Sequence, residues 1–539
     1  MNSLASTNRA RRVLMALAAV SGIGLLVACS SGTGIGRPNP TGFTNSSLSG
    51  TYIFSVSGSD VNATSESFFA IAGTLTADGK GNITGGTVDV IDPNLGGTGI
   101  FLGQAVSAST YSISQDGRGT GSLATPVGTF GLDFVLTSTS HGLIIRFDGI
   151  GSGSGTLDLQ GSASQSSLAS LVFSLSGING INPFGTVGAF TLNSSGTITS
   201  GIQDFNNNNS SSASGLNGAA LTGSVVLNSG TSGTAQLNSS FGPLTFDFWV
   251  VDSSHLKLIE TDASGLILIG DAFTQQTSFT AGQLVFTLGG NDSGFNPLAI
   301  GGFVTTDANG TLSNGTEDFN DAGNANTVTN FSGSCSAPAP FPSGRCQLSL
   351  NGFSNGSSNN FIFAAYPSSG GIQLLEIDNL GLTQGAAFAQ TATSFAAASY
   401  ALNLSGANTD GRGNVGEVDD VAQFNATTAT NNNMTGSLDE NTTFVGPIHN
   451  SSLSGTYTPD SPATGRGAIS VSTPRTFIGG LSLEYYVVNS SSAVFIEVDN
   501  SQLSVGSFEA QSPGSAGAAL SRITIRRPAV RSHASWMRK

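Results

Sequence analysis

The chain repeats itself four times, and this constrains its fold more than any single residue does. An apolar run opens each unit: Tyr52-Ile53-Phe54-Ser55-Val56-Ser57-Gly58, Leu171-Val172-Phe173-Ser174-Leu175-Ser176-Gly177, Leu284-Val285-Phe286-Thr287-Leu288-Gly289-Gly290 and Tyr400-Ala401-Leu402-Asn403-Leu404-Ser405-Gly406. A glycine turn then leads into an acidic strand. It runs from Asp78-Gly79 to Asp89, from Ser195-Gly196 to Asp204, from Asn309-Gly310 to Asp318, and from Asp410-Gly411 to Asp419. Near each end stand Arg146-Phe147-Asp148, Glu260-Thr261-Asp262, Glu376-Ile377-Asp378 and Glu497-Val498-Asp499. A glycine with a glutamine five positions on closes each unit: Gly155 and Gln160, Gly270 and Gln275, Gly385 and Gln390, Gly506 and Gln511. The aspartates Asp148, Asp262, Asp378 and Asp499 lie 114, 116 and 121 residues apart.

A unit of this length can bury a core of its own. Each reads as about eight short strands. Alternation is plain in Phe246-Asp247-Phe248-Trp249-Val250 and Leu256-Lys257-Leu258-Ile259-Glu260. Asp-Gly and Asn-Gly steps supply the positive φ of tight hairpins. Helical periodicity long enough to cross between parallel strands is missing, so the sheets should be antiparallel. The expected fold is therefore all-β: four tandem antiparallel units, each an up-and-down barrel, which removes exposed sheet edges. β-Sandwich repeats and a β-propeller are the alternatives. The units span 46–162, 163–276, 277–391 and 392–512. The fourth looks contracted, because its opening strand runs almost directly into Asp410-Gly411.

Charge narrows the partners. The chain has 18 Lys+Arg and 33 Asp+Glu. Three of the basic residues precede Cys29 and six follow Ser521, so the body carries nine against 33, a net of −24. Such a surface repels phosphate backbones, which argues against nucleic acid. Charged residues are only 9% of the chain, and the polar share falls to Gly, Ser, Thr and Asn, as short strands joined by turns require. A second long apolar run, and so a membrane-spanning helix after processing, is not expected.

The first residues carry an address. Arg9, Arg11 and Arg12 precede an apolar run that ends Leu26-Val27-Ala28-Cys29. A basic start, an apolar stretch and small residues before a cut site make a secretory signal. Ending it on cysteine resembles the lipobox of bacterial lipoproteins. That resemblance implies cleavage after residue 28, acyl lipid such as palmitate on Cys29, a tether over 29–45 and attachment to a membrane. Ser30 and Ser31 follow without an acidic residue, which by the same resemblance leans towards the outer membrane. Residues 513–539 read as a basic, disordered tail. Taken with the tandem units, the chain resembles uncharacterised repeat-bearing bacterial lipoproteins; single units resemble lipocalin-type barrels in strand count alone.

Candidate chemistry is sparse. In an exported protein, Cys335 and Cys346 should form a disulfide stapling one hairpin. They are too few for a structural zinc site, and the reading assigns no metal and no cofactor. His141 and His255 occupy the same place in two units, where the others have Gly and Ser, and read as turn residues; His449 falls in a loop and His533 in the tail. Glu260/Asp262, Glu376/Asp378 and Glu497/Asp499 are spaced i, i+2 on one strand face, roughly 7 Å apart. That lies within glycosidase range, but a polar strand face ending at a turn explains it as well. The Asp307 and Asp410 turns present oxygen ligands yet lack a full calcium loop. No G-x-S-x-G lies between a strand and a helix. Trp249 is the only Trp in the body, so the aromatic set suits cores or an apolar cavity better than a sugar platform. Three functions follow: a non-enzymatic binding, adhesion or display module for an unknown envelope or extracellular ligand; a carrier of small apolar ligands in barrel cavities; and a glycan hydrolase using the acidic pairs. No catalytic residue is assigned.

Overall fold

The computed structural model describes residues 42–514, apart from 62–65, 209–217, 338–342, 357–359, 410–414, 428–431, 474–479 and 501. Cys29 and the tail from residue 515 lie outside these. The described elements are antiparallel strands and three short 3-10 turns. They form four barrels, not sandwiches or propeller blades. Barrels 3 and 4 are closed rings of eight strands. Barrel 1 has nine because its fourth strand is broken into Ile100–Ala105 and Ser109–Ile113, and the pairing of Glu66–Asp78 with Asn82–Ile91 closes it. Barrel 2 breaks its fourth strand likewise, into Ala219–Ala220 and Thr222–Leu227. There the third and fourth strands meet through the Thr197–Ser224 bridge and the Val225 N–H on the Gly196 carbonyl, so the barrel is nearly closed.

The repeated glycine has a steric cause. Each sits on the last strand, facing the middle of the opening strand across the closing seam of its barrel: Gly155 opposite Val56, Gly270 opposite Leu175, Gly385 opposite Leu288, Gly506 opposite Leu404. A Cβ there would lie 1.7 Å from the Ser55 carbonyl oxygen, 2.0 Å from that of Ser174, 2.0 Å from that of Thr287 and 2.3 Å from that of Asn403. Only glycine lets the first and last strands approach this closely.

Barrel 4 corrects the expectation of contraction. It has all eight strands, from Ser399–Thr409 to Gln502–Ala510. Residues 410–414, outside the described set, fall between its first and second strands, whereas Asp78-Gly79 separates the second and third strands of barrel 1. Matching the two units by these similar sequences therefore pairs different strands of the two barrels. The true counterpart of Asp89, Asp204 and Asp318 is Asp439 on the third strand, Asn433–Thr442, and not Asp419.

The opening strands are apolar on both faces because both faces are buried. Tyr52 and Phe54 enter the core of barrel 1, while Ile53 between them packs outward against Trp249, Ile259 and Ile269 of barrel 2. Leu171 and Phe173 fill barrel 2, with Val172 turned to Ala364, Tyr366 and Leu375 of barrel 3. Val285 meets Tyr486, Val488 and Val494 of barrel 4. Ala401 and Val421 of barrel 4 then meet Val135, Leu143, Ile145 and Phe147 of barrel 1. Contacts therefore run 1–2, 2–3, 3–4 and 4–1, and the four barrels close into a ring.

Candidate functional site

Asparagines clamp one end of three seams, and glutamines clamp the opposite end of two of them. An asparagine at the end of the third strand donates to backbone carbonyls beside the strand seven–eight turn of the next barrel. Asn206 reaches the Glu376 and Gly381 oxygens, each at 2.8 Å. Asn320 reaches those of Glu497 at 3.0 Å and Asp499 at 2.8 Å. Asn441 reaches those of Arg146 at 2.8 Å and Gly151 at 2.7 Å. At the opposite end the repeated glutamines act. Gln390 donates to Val487 and Thr464 of barrel 4, and Gln511 to Asp116 and Leu136 of barrel 1. Gln275, Gln390 and Gln511 lie against Gly344, Gly465 and Gly117 of the following barrel, all at positive φ, where a Cβ would come within 2.1, 2.1 and 2.6 Å of the amide nitrogen. In barrel 1, Ile91 takes the asparagine place and packs with Trp249 instead.

Between these clamps, the third-strand aspartate meets an arginine of the next barrel. Arg345 Nε and Nη2 lie 2.6 and 2.9 Å from the Asp204 carboxylate, which also accepts from the Tyr366 hydroxyl at 2.5 Å. Arg466 grips Asp318 at 2.6 and 2.8 Å, with the Tyr486 hydroxyl alongside. These bidentate, charge-assisted bonds are the strong kind. Burial, then the adjoining carboxylate, pushes both tyrosine hydroxyls well above their usual range. The seam between barrels 1 and 2 lacks the arginine: Ser232 stands in its place, and Asp89 faces Asp247. Burial, with Asp247 nearby, pushes the Asp89 carboxyl up to about 7 against the opposing Gly103 N–H.

The seam between barrels 4 and 1 differs again. Arg118 Nη1 holds Asp439 at 3.0 Å. Asp133 of barrel 1 and His449 of barrel 4 join them, with His449 Nδ1 3.3 Å from Asp133 Oδ2 and 3.9 Å from Asp439 Oδ1. Burial first, then Asp439, pushes the Asp133 carboxyl up to about 8. The sequence reading missed this group, whose members come from two barrels and are far apart along the chain. His449 lies in the strand Gly446–Pro459, not in a loop.

His141 and His255 also depart from the sequence reading. They are buried first residues of strands, not turn residues. His141 Nδ1 lies 2.8 Å from Asp158 and Nε2 3.7 Å from Glu509 of barrel 4. Burial opposes its charge, but those two carboxylates outweigh it and raise it to about 9. His255 Nε2 lies 2.8 Å from Asp271. Lys257, fully buried, reaches Asp158 of barrel 1 at 3.2 Å and Asp271 at 3.4 Å. One buried chain of charges therefore links barrels 4, 1 and 2.

The acidic pairs close turns. Asp378 accepts from the Ile362 and Leu380 N–H groups at 2.6 and 2.8 Å, and Asp262 from Thr245 and Ser264 at 2.8 and 2.9 Å. Their partners Glu260, Glu376 and Glu497 are buried, accepting from Ser264, Thr383 and Ser504. Burial raises all three, Glu260 to about 8. Such pairs lack the open two-carboxyl arrangement that glycoside cleavage uses. In barrel 1, Arg146 replaces the glutamate, stacked over Phe69 and Phe130 and paired with Asp148 at 2.8 Å. The turn aspartates likewise bind their own backbone: Asp307 accepts from Asn309 and Thr311, each at 2.9 Å. Cys335 and Cys346 form the expected disulfide, joining the fourth and fifth strands of barrel 3. Each barrel interior is packed with its own apolar side chains; a void of about 40 Å³ lies in barrel 3 among Phe286, Leu288, Phe331, Phe353 and Leu374.

The class defined by this geometry is an all-β protein of four packed barrels joined in a ring. No protein-family model matches the chain, and no curated protein matches it. Among solved structures it is similar to a Trp-176-Ala mutant of the vaccine antigen Transferrin Binding Protein B from Haemophilus parasuis Hp5, at 10% identity over 70% of this chain and 82% of that one, with a TM-score of 0.17. It is also similar to intact Ap-TbpB, containing N and C lobes, at 8% identity over 74% of this chain and 86% of that one, with a TM-score of 0.16. Scores this low carry no argument about function. No described helix is long and apolar enough to cross a membrane.

Proposed function

We propose that the chain is a lipid-anchored protein of the cell envelope, whose ring is a rigid, non-enzymatic module for binding, adhesion or display. One observation carries the reading: the residues repeated from unit to unit close barrels and clamp seams. Glycine closes each barrel, glutamine and asparagine hold the next one, and the acidic pairs cap turns. What differs between units is left for a partner.

Topology supports a display role. The asparagine clamps bring equivalent turns of successive barrels to the same level, so these turns share one face of the ring. The exposed side chains Ile150, Ile181 and Val445 lie in turns of that face. The chain enters the opening strand at Ser49, at the other end of barrel 1.

The test is metabolic labelling of growing cells with a palmitate analogue, followed by fractionation. Label on the wild type, and an unlabelled, membrane-free Cys29→Ser variant, support the reading. Unlabelled wild type, or a Cys29→Ser variant that stays with the membrane, overturns the anchor. Loss of whole-cell ligand binding on replacing Ile150, Ile181 and Val445 with serine would locate the displayed face.

A further inference from the structure

We propose that Asp133, Asp439 and His449 form a divalent transition-metal site that staples the seam between barrels 4 and 1. These residues offer one imidazole nitrogen and two carboxylate oxygens, all within 4.8 Å of one another. Zinc held at about 2.0–2.2 Å by such ligands places them roughly 3.3–3.5 Å apart. The His449–Asp133 distance of 3.3 Å already fits, and the His449–Asp439 distance of 3.9 Å needs a shift of about half an ångström.

Three further observations point to a ligand. Asp133 is 2% exposed, and its Oδ2 has no hydrogen-bond partner although it faces the cluster. Asp439 is held in place as metal-bound carboxylates are: Arg118 donates to Oδ2 and the Asn450 N–H to Oδ1, at 2.7 Å. With the Asp133 proton displaced by the metal, Asp116, Asp133 and Asp439 stand against Arg118 alone, and a divalent cation offsets that excess of negative charge. His449 is half-exposed and gives the ion a way in.

The other seams lack this set. Asp204 and Asp318 meet arginine and tyrosine there, and Thr327 stands on Asp318 where His449 stands on Asp439. The exception falls at the seam where the last barrel meets the first, which chain continuity does not hold. A metal there would fix ring closure. The imidazole nitrogen favours zinc-like ions over calcium or magnesium.

The experiment titrates Zn²⁺ into the processed, detergent-extracted protein after chelator treatment, with bound metal counted by mass spectrometry. One equivalent in the wild type, with dissociation constants raised at least tenfold in Asp133→Asn and in His449→Ala, is the expected result. His449→Ala alters a half-exposed side chain and so separates metal loss from misfolding, which circular dichroism monitors. His533→Ala should bind as the wild type does. Lack of stoichiometric uptake, unchanged affinity in the Asp133 and His449 variants, or loss of the ion in His533→Ala would overturn the proposal.

Discussion

Replacing Lys257 with methionine should open the seam between barrels 1 and 2 while leaving both barrel cores intact. The methionine keeps most of the volume of the fully buried side chain but removes the ammonium that lies 3.2 Å from Asp158 and 3.4 Å from Asp271. Breaking a buried ion pair from one side costs about 3–5 kcal/mol, because the remaining charge stays in a poorly solvating site. Trp249 pairs directly with Lys257 across the strands and is 8% exposed, so its fluorescence reports this seam. In urea, the Trp249 transition of Lys257→Met should fall by that amount at neutral pH. A cost below about 1 kcal/mol for the single variant would refute the claim that this charge chain stabilises the seam.

Stability should fall as pH rises from about 5 to 9. Burial lifts Glu260 to about 8 and Glu317 to about 9 in the fold, against roughly 4 unfolded, so the native state holds the extra protons across this range. His141, raised to about 9, adds stability that is complete below about 6.5 and is lost towards 9. A urea midpoint that rises with pH would contradict both assignments, and Glu317→Gln should flatten the slope. Asn441→Leu strands the Arg146 and Gly151 carbonyls and should cost about 2–4 kcal/mol in chemical denaturation; a neutral substitution would deny the clamp its role. Gly385→Ala forces a Cβ to 2.0 Å from the Thr287 oxygen, so hydrogen exchange should quicken in the first and last strands of barrel 3 and not in barrel 1.

The barrels were legible because their causes are local. Alternation, turn glycines and the repeat pitch follow from neighbours in sequence, and the opening strands fall where the apolar runs stand. The ring was written less openly. Ile53, Val172, Val285 and Ala401 make the opening strands apolar on both faces, which is the sequence sign of burial on both sides. Gln390 and Gln511 were visible as repeats, but their targets lie in the following unit or back in the first. The fourth unit misled because similar glycine-containing sequences precede the third strand of barrel 1 and the second strand of barrel 4. His141 misled because a position shared with glycine and serine in other units looks like a turn, whereas its partner Glu509 comes from the far end of the chain. Asp133 and His449 are brought together only when barrel 4 reaches barrel 1.

Ring closure is the claim on which the rest depends, and small-angle X-ray scattering of residues 42–514 tests it most directly. Four barrels packed on all four seams should give a radius of gyration of about 23 Å, the value for a compact body of this length. An elongated profile, with a longest dimension near four barrel widths, would show a string of separate barrels and contradict the ring.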